Sequence, residues 1–208
     1  MKTFVFQGDS ITDSGRSRGD NWHMGYGYPD IVASELSYRR PNEITFINRG
    51  VSGDKAAQMY SRIKADTIDF RPDYLSILIG VNDVWHPLND EDQTGGYSVE
   101  RYTQLLSMFV EDVLAAKPET VIAILEPFVL DGRATHEKID AFVSGVSARA
   151  KAAKEVAEKY NLIFVPLQDE FNKKLELAPA DWWLIDGVHP THAGHQLIAN
   201  ELIKALDL

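Results

Sequence analysis

Short apolar runs alternate along the chain with longer stretches of helical spacing. Thr3, Phe4 and Val5 lead into Phe6 and then into a polar, glycine-flanked turn, which reads as a buried strand that stops abruptly. Glu43 to Asn48 alternates and predicts a second strand. Tyr74 to Ile79, Thr120 to Leu125 and Leu162 to Leu167 are largely apolar and predict three more. Between them the spacing turns helical. Pro29 suits a first turn, and Ile31, Val32 and Leu36 make an apolar face to about Tyr38. Asp54 is placed to cap a helix to about Thr67, and Ser98 one carrying Val99, Tyr102, Leu106, Phe109, Val110 and Val113 to about Ala116. Pro118 ends that helix. Thr135 to Tyr160 predicts a long helix with Ile139, Phe142, Val143, Val146 and Val156 inward. A short helix is expected over Asp169–Leu177 and a last one over Thr191–Leu206. Gly15–Gly27 and Asp83–Gly96 read as polar loops. Strands alternating with helices predict an α/β fold with a parallel sheet covered on both faces. No repeat or linker-like stretch divides residues 1–208, so one domain is expected.

Composition narrows the function. The chain has 208 residues, enough for a full core, and 44% of them are hydrophobic. A formal charge of −10 argues against nucleic acid and against an anionic membrane surface. With no cysteine there is no disulfide, thiolate metal site or cysteine nucleophile. The first strand starts at about residue 3 and its apolar run is too short for a signal-peptide core or a membrane span. The expectation is a cytoplasmic chain.

The candidate chemistry sits at strand ends. Ser10 follows the first strand, Gly53 the second and Asn82 the third, while Asp186 and His189 lie between the fifth strand and the last helix. In a parallel sheet these connections share the carboxyl edge, where open α/β sheets bind ligands. Pro190 pushes His189 toward extended backbone. Asp186 could then orient one imidazole nitrogen while the other faces Ser10, the arrangement in which acid orients base and base activates hydroxyl. The backbone N–H groups of Ser10 and Gly53 and the Asn82 amide could stabilise an oxyanion. Read singly, each residue has a plainer role: Asp9 or Ser10 capping a turn, Gly53 starting a helix, Asn82 forming a turn.

Taken together, Gly8-Asp9-Ser10, Val51-Ser52-Gly53-Asp54, Gly80-Val81-Asn82-Asp83 and Asp186-Gly187-Val188-His189 resemble, in order, the four blocks of the SGNH (GDSL-type) hydrolases. The resemblance spans residues 8 to 189. It implies a flavodoxin-like three-layer α/β/α sandwich with a five-stranded parallel sheet. It also implies Ser10 as nucleophile, His189 as base, Asp186 as its partner, and an oxyanion hole of Ser10, Gly53 and Asn82. Gly50 is a rival to Gly53, but the Ser-Gly-Asp setting is the more similar to the family's second block. No cofactor and no metal are implied. The stretches 8–16, Ile79–Trp85 and His189–His195 look most similar to bacterial acetylxylan esterases and related carbohydrate acetylesterases, which implies a short-chain acyl ester substrate, chiefly an acetylated sugar such as a xylo-oligosaccharide.

Asp9, Trp22 and Trp85 are candidate substrate contacts, although for each tryptophan a place in the core or at a subunit contact is the plainer reading. A homo-oligomer is left open. Three other readings stand beside the esterase. A lysophospholipase or thioesterase of the same family would prefer longer acyl chains. A metal-dependent phosphoesterase would use His189, His192 and His195 with Asp9, Asp13 and Asp83, and would lose activity in EDTA. A carbohydrate-binding module would keep the fold without the chemistry.

Overall fold

In the computed structural model, which describes residues 1–89 and 98–208, the five predicted strands form one parallel sheet in the order β2-β1-β3-β4-β5. They are β1 (Lys2–Gly8), β2 (Ile44–Asn48), β3 (Tyr74–Leu78), β4 (Val121–Leu125) and β5 (Ile163–Val165). Alternation along the strands feeds two cores. Phe4 and Phe6 of β1 stack at 4.3 Å between ring centroids on one face, with Tyr28, Val32, Leu36, Ile198 and Leu202. Val5 points to the other face, with Leu75, Ile77, Met59 and Phe109. Each such side chain, fully buried, is worth about 1.5–3 kcal/mol.

The first face is covered by α2 (Tyr28–Arg39) and α10 (His192–Leu206). The second is covered by α3 (Ala56–Ser61), α6 (Val99–Ala116) and the later turns of α7 (Ile139–Lys159). Ser98 caps α6 as expected, its side chain accepting from Arg101 N. The short helices are α1 (Ser10–Asp13), α4 (Ile63–Asp66), α5 (Asn82–Asn89), α8 (Gln168–Lys174) and α9 (Ala180–Trp183). The architecture is thus α/β, with the helices in two layers about the sheet. Because β1 lies between β2 and β3, the chain reverses its direction of winding at the carboxyl ends of β1 and β3, where Ser10 and Asn82 emerge.

Three expectations differ in detail. Asp54 does not cap α3: the cap position is Lys55, and the Asp54 carboxylate takes Arg62 Nε at 2.7 Å. The predicted helix to Thr67 is broken at Arg62, whose guanidinium turns back to Gly8 O, Arg49 O and Asp66. Val143 is 46% exposed rather than inward, because its face of α7 looks to solvent.

The loop expected over Asp83–Gly96 is in its first part the helix α5; residues 90–97 lie outside the described ones. Val84 is buried, and Trp85 and Leu88 pack against the core at helical spacing. Pro87 argues against a helix, because it removes an N–H that would bond the carbonyl four residues back. That carbonyl, Asp83 O, accepts instead from Arg149 Nη2 at 3.2 Å.

Candidate active site

The site begins at the abrupt stop of β1. A Cβ on Gly8 would collide with Thr12 Oγ1 and Leu78 O, so only glycine lets α1 fold back this closely. Asp9 caps α1, its carboxylate accepting from Ile11 N at 3.0 Å. Ser10 is the first residue of the helix, half-buried, and its N–H belongs to a first turn that has no intrahelical acceptor for it.

Ser10 Oγ lies 3.0 Å from His189 Nε2, and His189 Nδ1 lies 2.8 Å from Asp186 Oδ2. Residues 179 positions apart in sequence meet here. The Asp186 turn is built to present the imidazole: Oδ1 accepts the backbone N–H groups of Val188 at 3.0 Å and His189 at 2.8 Å. Gly187 adopts φ +101°, and a Cβ there would meet Thr135 and Leu130 O. Ile185 N donates to His189 O and Leu184 bridges Pro190, which closes the segment into a small antiparallel loop. Burial pushes the Asp186 carboxyl up, but hydrogen bonds from the His189 ring and from the two backbone N–H groups outweigh it and hold the pKa at about 2. The same bond to Asp186 raises the His189 pKa above 6.5, against partial burial and with help from the charges of Asp186 and Asp9. With Nδ1–H donating to Asp186, Nε2 is free to accept the Ser10 proton.

The second and third blocks are tied together beside this pair. Val51 N donates to Gly8 O at 3.0 Å, and Asn82 Nδ2 donates to Asp54 O at 3.1 Å, leaving its second hydrogen for another acceptor. Asp83 Oδ2 accepts from Ala56 N. Gly53 has φ +84°, and among the described residues nothing accepts its N–H. The N–H of its rival Gly50 is spent on Asn48 Oδ1 at 2.9 Å, and Gly50 is buried against α1. His86, one helical turn beyond Asn82, bonds Gly53 O through Nε2 at 3.2 Å. That contact was missed because 83–89 read as loop; helical spacing would have put Asn82 and His86 on one face.

Trp85 stands in T-shaped contact with His189, centroids 6.0 Å apart, and with Phe142. It is half-buried beside the His189 ring. Asp9 does not lie where a substrate could touch it: it is 1% exposed beneath the turn, and burial pushes its carboxyl up to about 7. Trp22 is 76% exposed on the loop after α1, and no described contact joins it to Ser10, Asp186 or His189. Asp9 therefore departs from the substrate-contact expectation. Asp9 was misjudged because a polar residue beside a nucleophile reads the same whether it points out or in. Trp182 is exposed, and Trp183 is half-buried with Nε1 donating to Ala178 O.

The histidines do not converge. His189 uses both ring nitrogens on Asp186 and Ser10, whereas His195 is buried and its Nδ1 accepts from Tyr28 N. Burial lowers the His195 pKa to about 4. Among the described residues no three histidine, aspartate or glutamate side chains are grouped as metal ligands, and no helix is long and apolar enough to cross a membrane.

Comparison with known proteins agrees with this architecture. A family model described as the GDSL-like lipase/acylhydrolase family matches residues 6–197. An acetylxylan esterase of Geobacillus stearothermophilus is 33% identical over 97% of this chain and 92% of its own length. Thioesterase 1/protease 1/lysophospholipase L1 of Escherichia coli K12 is 25% identical over 90% of this chain and 80% of its own. Among solved structures, a GDSL-like lipase from Parabacteroides merdae superposes with a TM-score of 0.92 at 38% identity, covering 99% of this chain and 95% of that one. The Geobacillus acetylxylan esterase Axe2 superposes at 0.89 with 28% identity, covering 100% and 94%.

Proposed function

From the premise that this chain belongs to the GDSL-like lipase/acylhydrolase family and is a carboxylic ester hydrolase, we propose that it removes short acyl groups, chiefly acetyl, from carbohydrate esters such as acetylated xylo-oligosaccharides. The proposal takes residues 1–208 as one catalytic unit. The observation that carries it is the contact chain Asp186–His189–Ser10, at 2.8 and 3.0 Å.

In this reading Ser10 Oγ attacks the ester carbonyl as its proton passes to His189 Nε2. The carbonyl oxygen takes the negative charge and accepts from the N–H groups of Ser10 and Gly53 and from Asn82 Nδ2. Collapse breaks the ester C–O bond, and the leaving sugar hydroxyl takes the proton from His189. Water then attacks the acyl-Ser10 ester, giving its proton to His189, which returns it to Ser10 as the carboxylic acid leaves. Asp186 remains ionised throughout and holds the imidazolium. Residue 82 supplies the test of the oxyanion hole. Asn82→Ala is expected to lower kcat by about 100- to 1000-fold with a smaller change in KM, because the amide acts on developing charge. A change confined to KM would make Asn82 a substrate-binding residue instead.

The acetyl preference rests on the 33% identical acetylxylan esterase and on Trp85, whose ring flanks His189 where a flat apolar face can border a sugar. The E. coli relative, a thioesterase and lysophospholipase by name, is the competing precedent. The two differ in how rate follows chain length. A site with a fitting acyl channel gains about 0.8 kcal/mol for each buried methylene, so kcat/KM should climb from acetyl toward octanoyl. A small site loses by clash. With p-nitrophenyl esters, kcat/KM is expected to fall from acetate to butyrate and to reach background at octanoate, and acetylated xylose should release acetate in EDTA. A rate that climbs with chain length, without acetate release from the sugar, would move the enzyme to the lysophospholipase or thioesterase reading.

A further inference from the structure

Asp13 lies within the 8–16 stretch but outside the Gly8-Asp9-Ser10 block, and it is buried at 5% exposure. It closes α1, one helical turn after Ser10. Its Oδ2 accepts from Ser52 N at 3.0 Å, from Ser52 Oγ at 3.0 Å and from Arg18 Nη2 at 3.1 Å. Only an acceptor-only oxygen takes three donors without conflict, and its charge strengthens each bond. The Arg18 side chain is 60% exposed, so that ion pair contributes little by itself. The double grip on Ser52 is part-buried: the Asp13 carboxylate is shielded from water, whereas Ser52 itself is exposed.

Ser52 is the residue before Gly53. Asp54 N donates to Val51 O at 3.1 Å, and Gly53 has φ +84°, so residues 51–54 form a tight turn with glycine at the position that needs positive φ. The turn is held at its far end by His86 on Gly53 O and at its near end by Asp13. Gly50 is pressed so closely on α1 that a Cβ would collide with Asp13 N. The Gly53 N–H therefore hangs from the same short helix that carries the nucleophile, and the Asp13 carboxylate is a side-chain link between them.

We propose that Asp13 is a positioning residue for the oxyanion hole: it sets the distance and direction of the Gly53 N–H relative to Ser10. The inference rests on the triad reading above. It has leverage because a misplacement of about 1 Å in a reacting geometry can cost about 100-fold in rate.

The test uses Asp13→Ala and Ser52→Ala, singly and combined, in the full chain; alanine is used at 13 because an asparagine oxygen could keep the bonds that Oδ2 accepts. kcat and KM are measured on p-nitrophenyl acetate, together with the Ki of a methyl trifluoromethyl ketone, whose hemiketal oxyanion mimics the transition state. Asp13→Ala is expected to lower kcat about 10- to 100-fold with KM nearly unchanged, and to weaken the ketone in parallel with kcat/KM. Ser52→Ala, which keeps the backbone bond, should show a smaller loss of the same kind and add little in the Asp13→Ala background. Ser10→Ala keeps the two readings apart. If Ser10→Ala remains active, the triad reading falls first. If it is inactive while Asp13→Ala keeps wild-type kcat, or loses only through KM or melting temperature, the Asp13 inference is overturned. Should Asp13→Ala not fold, wild-type kcat and ketone affinity in Ser52→Ala overturn it equally.

Discussion

Ser10→Ala is expected to fold like the wild type and to lose nearly all esterase activity, by about 10⁶-fold in kcat if the triad works as a unit. The fold should tolerate it because, among the described residues, the Ser10 side chain bonds only His189, and the half-exposed site offers water in its place. The cap of α1 lies in Asp9 and survives. Alanine is also the better helix former, so melting temperature should stay near that of the wild type. Activity should collapse because, among the described residues, no other hydroxyl is bonded to His189. What remains, donors without a nucleophile, can only assist attack by water. A fluorophosphonate probe should label the wild-type chain once, at Ser10, and leave the variant unlabelled. Labelling at another serine, or a variant that keeps even a tenth of the rate, would remove Ser10 from the reaction.

How much of this was legible in the sequence depends on how local its cause is. The strands were, because runs such as Tyr74–Leu78 lie in the sheet's interior and carry no competing signal. The meeting of Ser10 with His189 and Asp186 was, because a parallel sheet brings alternate connections to one edge. α5 was not. Its inward residues Val84, Trp85 and Leu88 are few, and Pro87 is tolerated only because Arg149, 66 residues away from Asp83, takes the freed carbonyl. No local pattern reports such a partner. Asp54 looked like a cap since its position and type fit, but Arg62 outcompetes a backbone N–H for a carboxylate. Asp9 and Asp13 show the same limit. Both are acids within a few residues of the nucleophile, and both are buried, one capping α1 and the other gripping Ser52. Which acid reaches a substrate and which supports the scaffold is decided by the direction of a side chain, which spacing alone leaves open in a turn.

Asp186→Asn is expected to keep the fold and to lower kcat/KM by about 10⁴-fold. The carboxylate now accepts three donors: the ring Nδ1–H and the two backbone N–H groups of Val188 and His189. An asparagine can keep the backbone bonds through its single oxygen, so the loop should hold. Its NH₂ would then face Nδ1 and donate to it. That favours the tautomer with the proton on Nε2, the nitrogen that must accept from Ser10, and the base is lost without any atom moving far. The pH dependence supplies a second signature. In the wild type the folded-state pKa of His189 is raised by Asp186, so the acid limb of kcat/KM should lie above 6.5, with activity rising as the imidazole loses its proton. The linkage to stability runs the same way. The raised pKa contributes stability that is fully present below about 6.5 and is lost as pH rises through the folded value, while the carboxyl held at about 2 contributes stability above about 3.9 that is lost as pH falls toward 2; the pair shares one interaction and is counted once. Removing the carboxylate takes away the largest cause of the raised value, so the residual activity of Asp186→Asn should have its acid limb at lower pH than the wild type. An acid limb that stays in place, with a rate near that of the wild type, would mean that another group orients His189 and that Asp186 only shapes the loop.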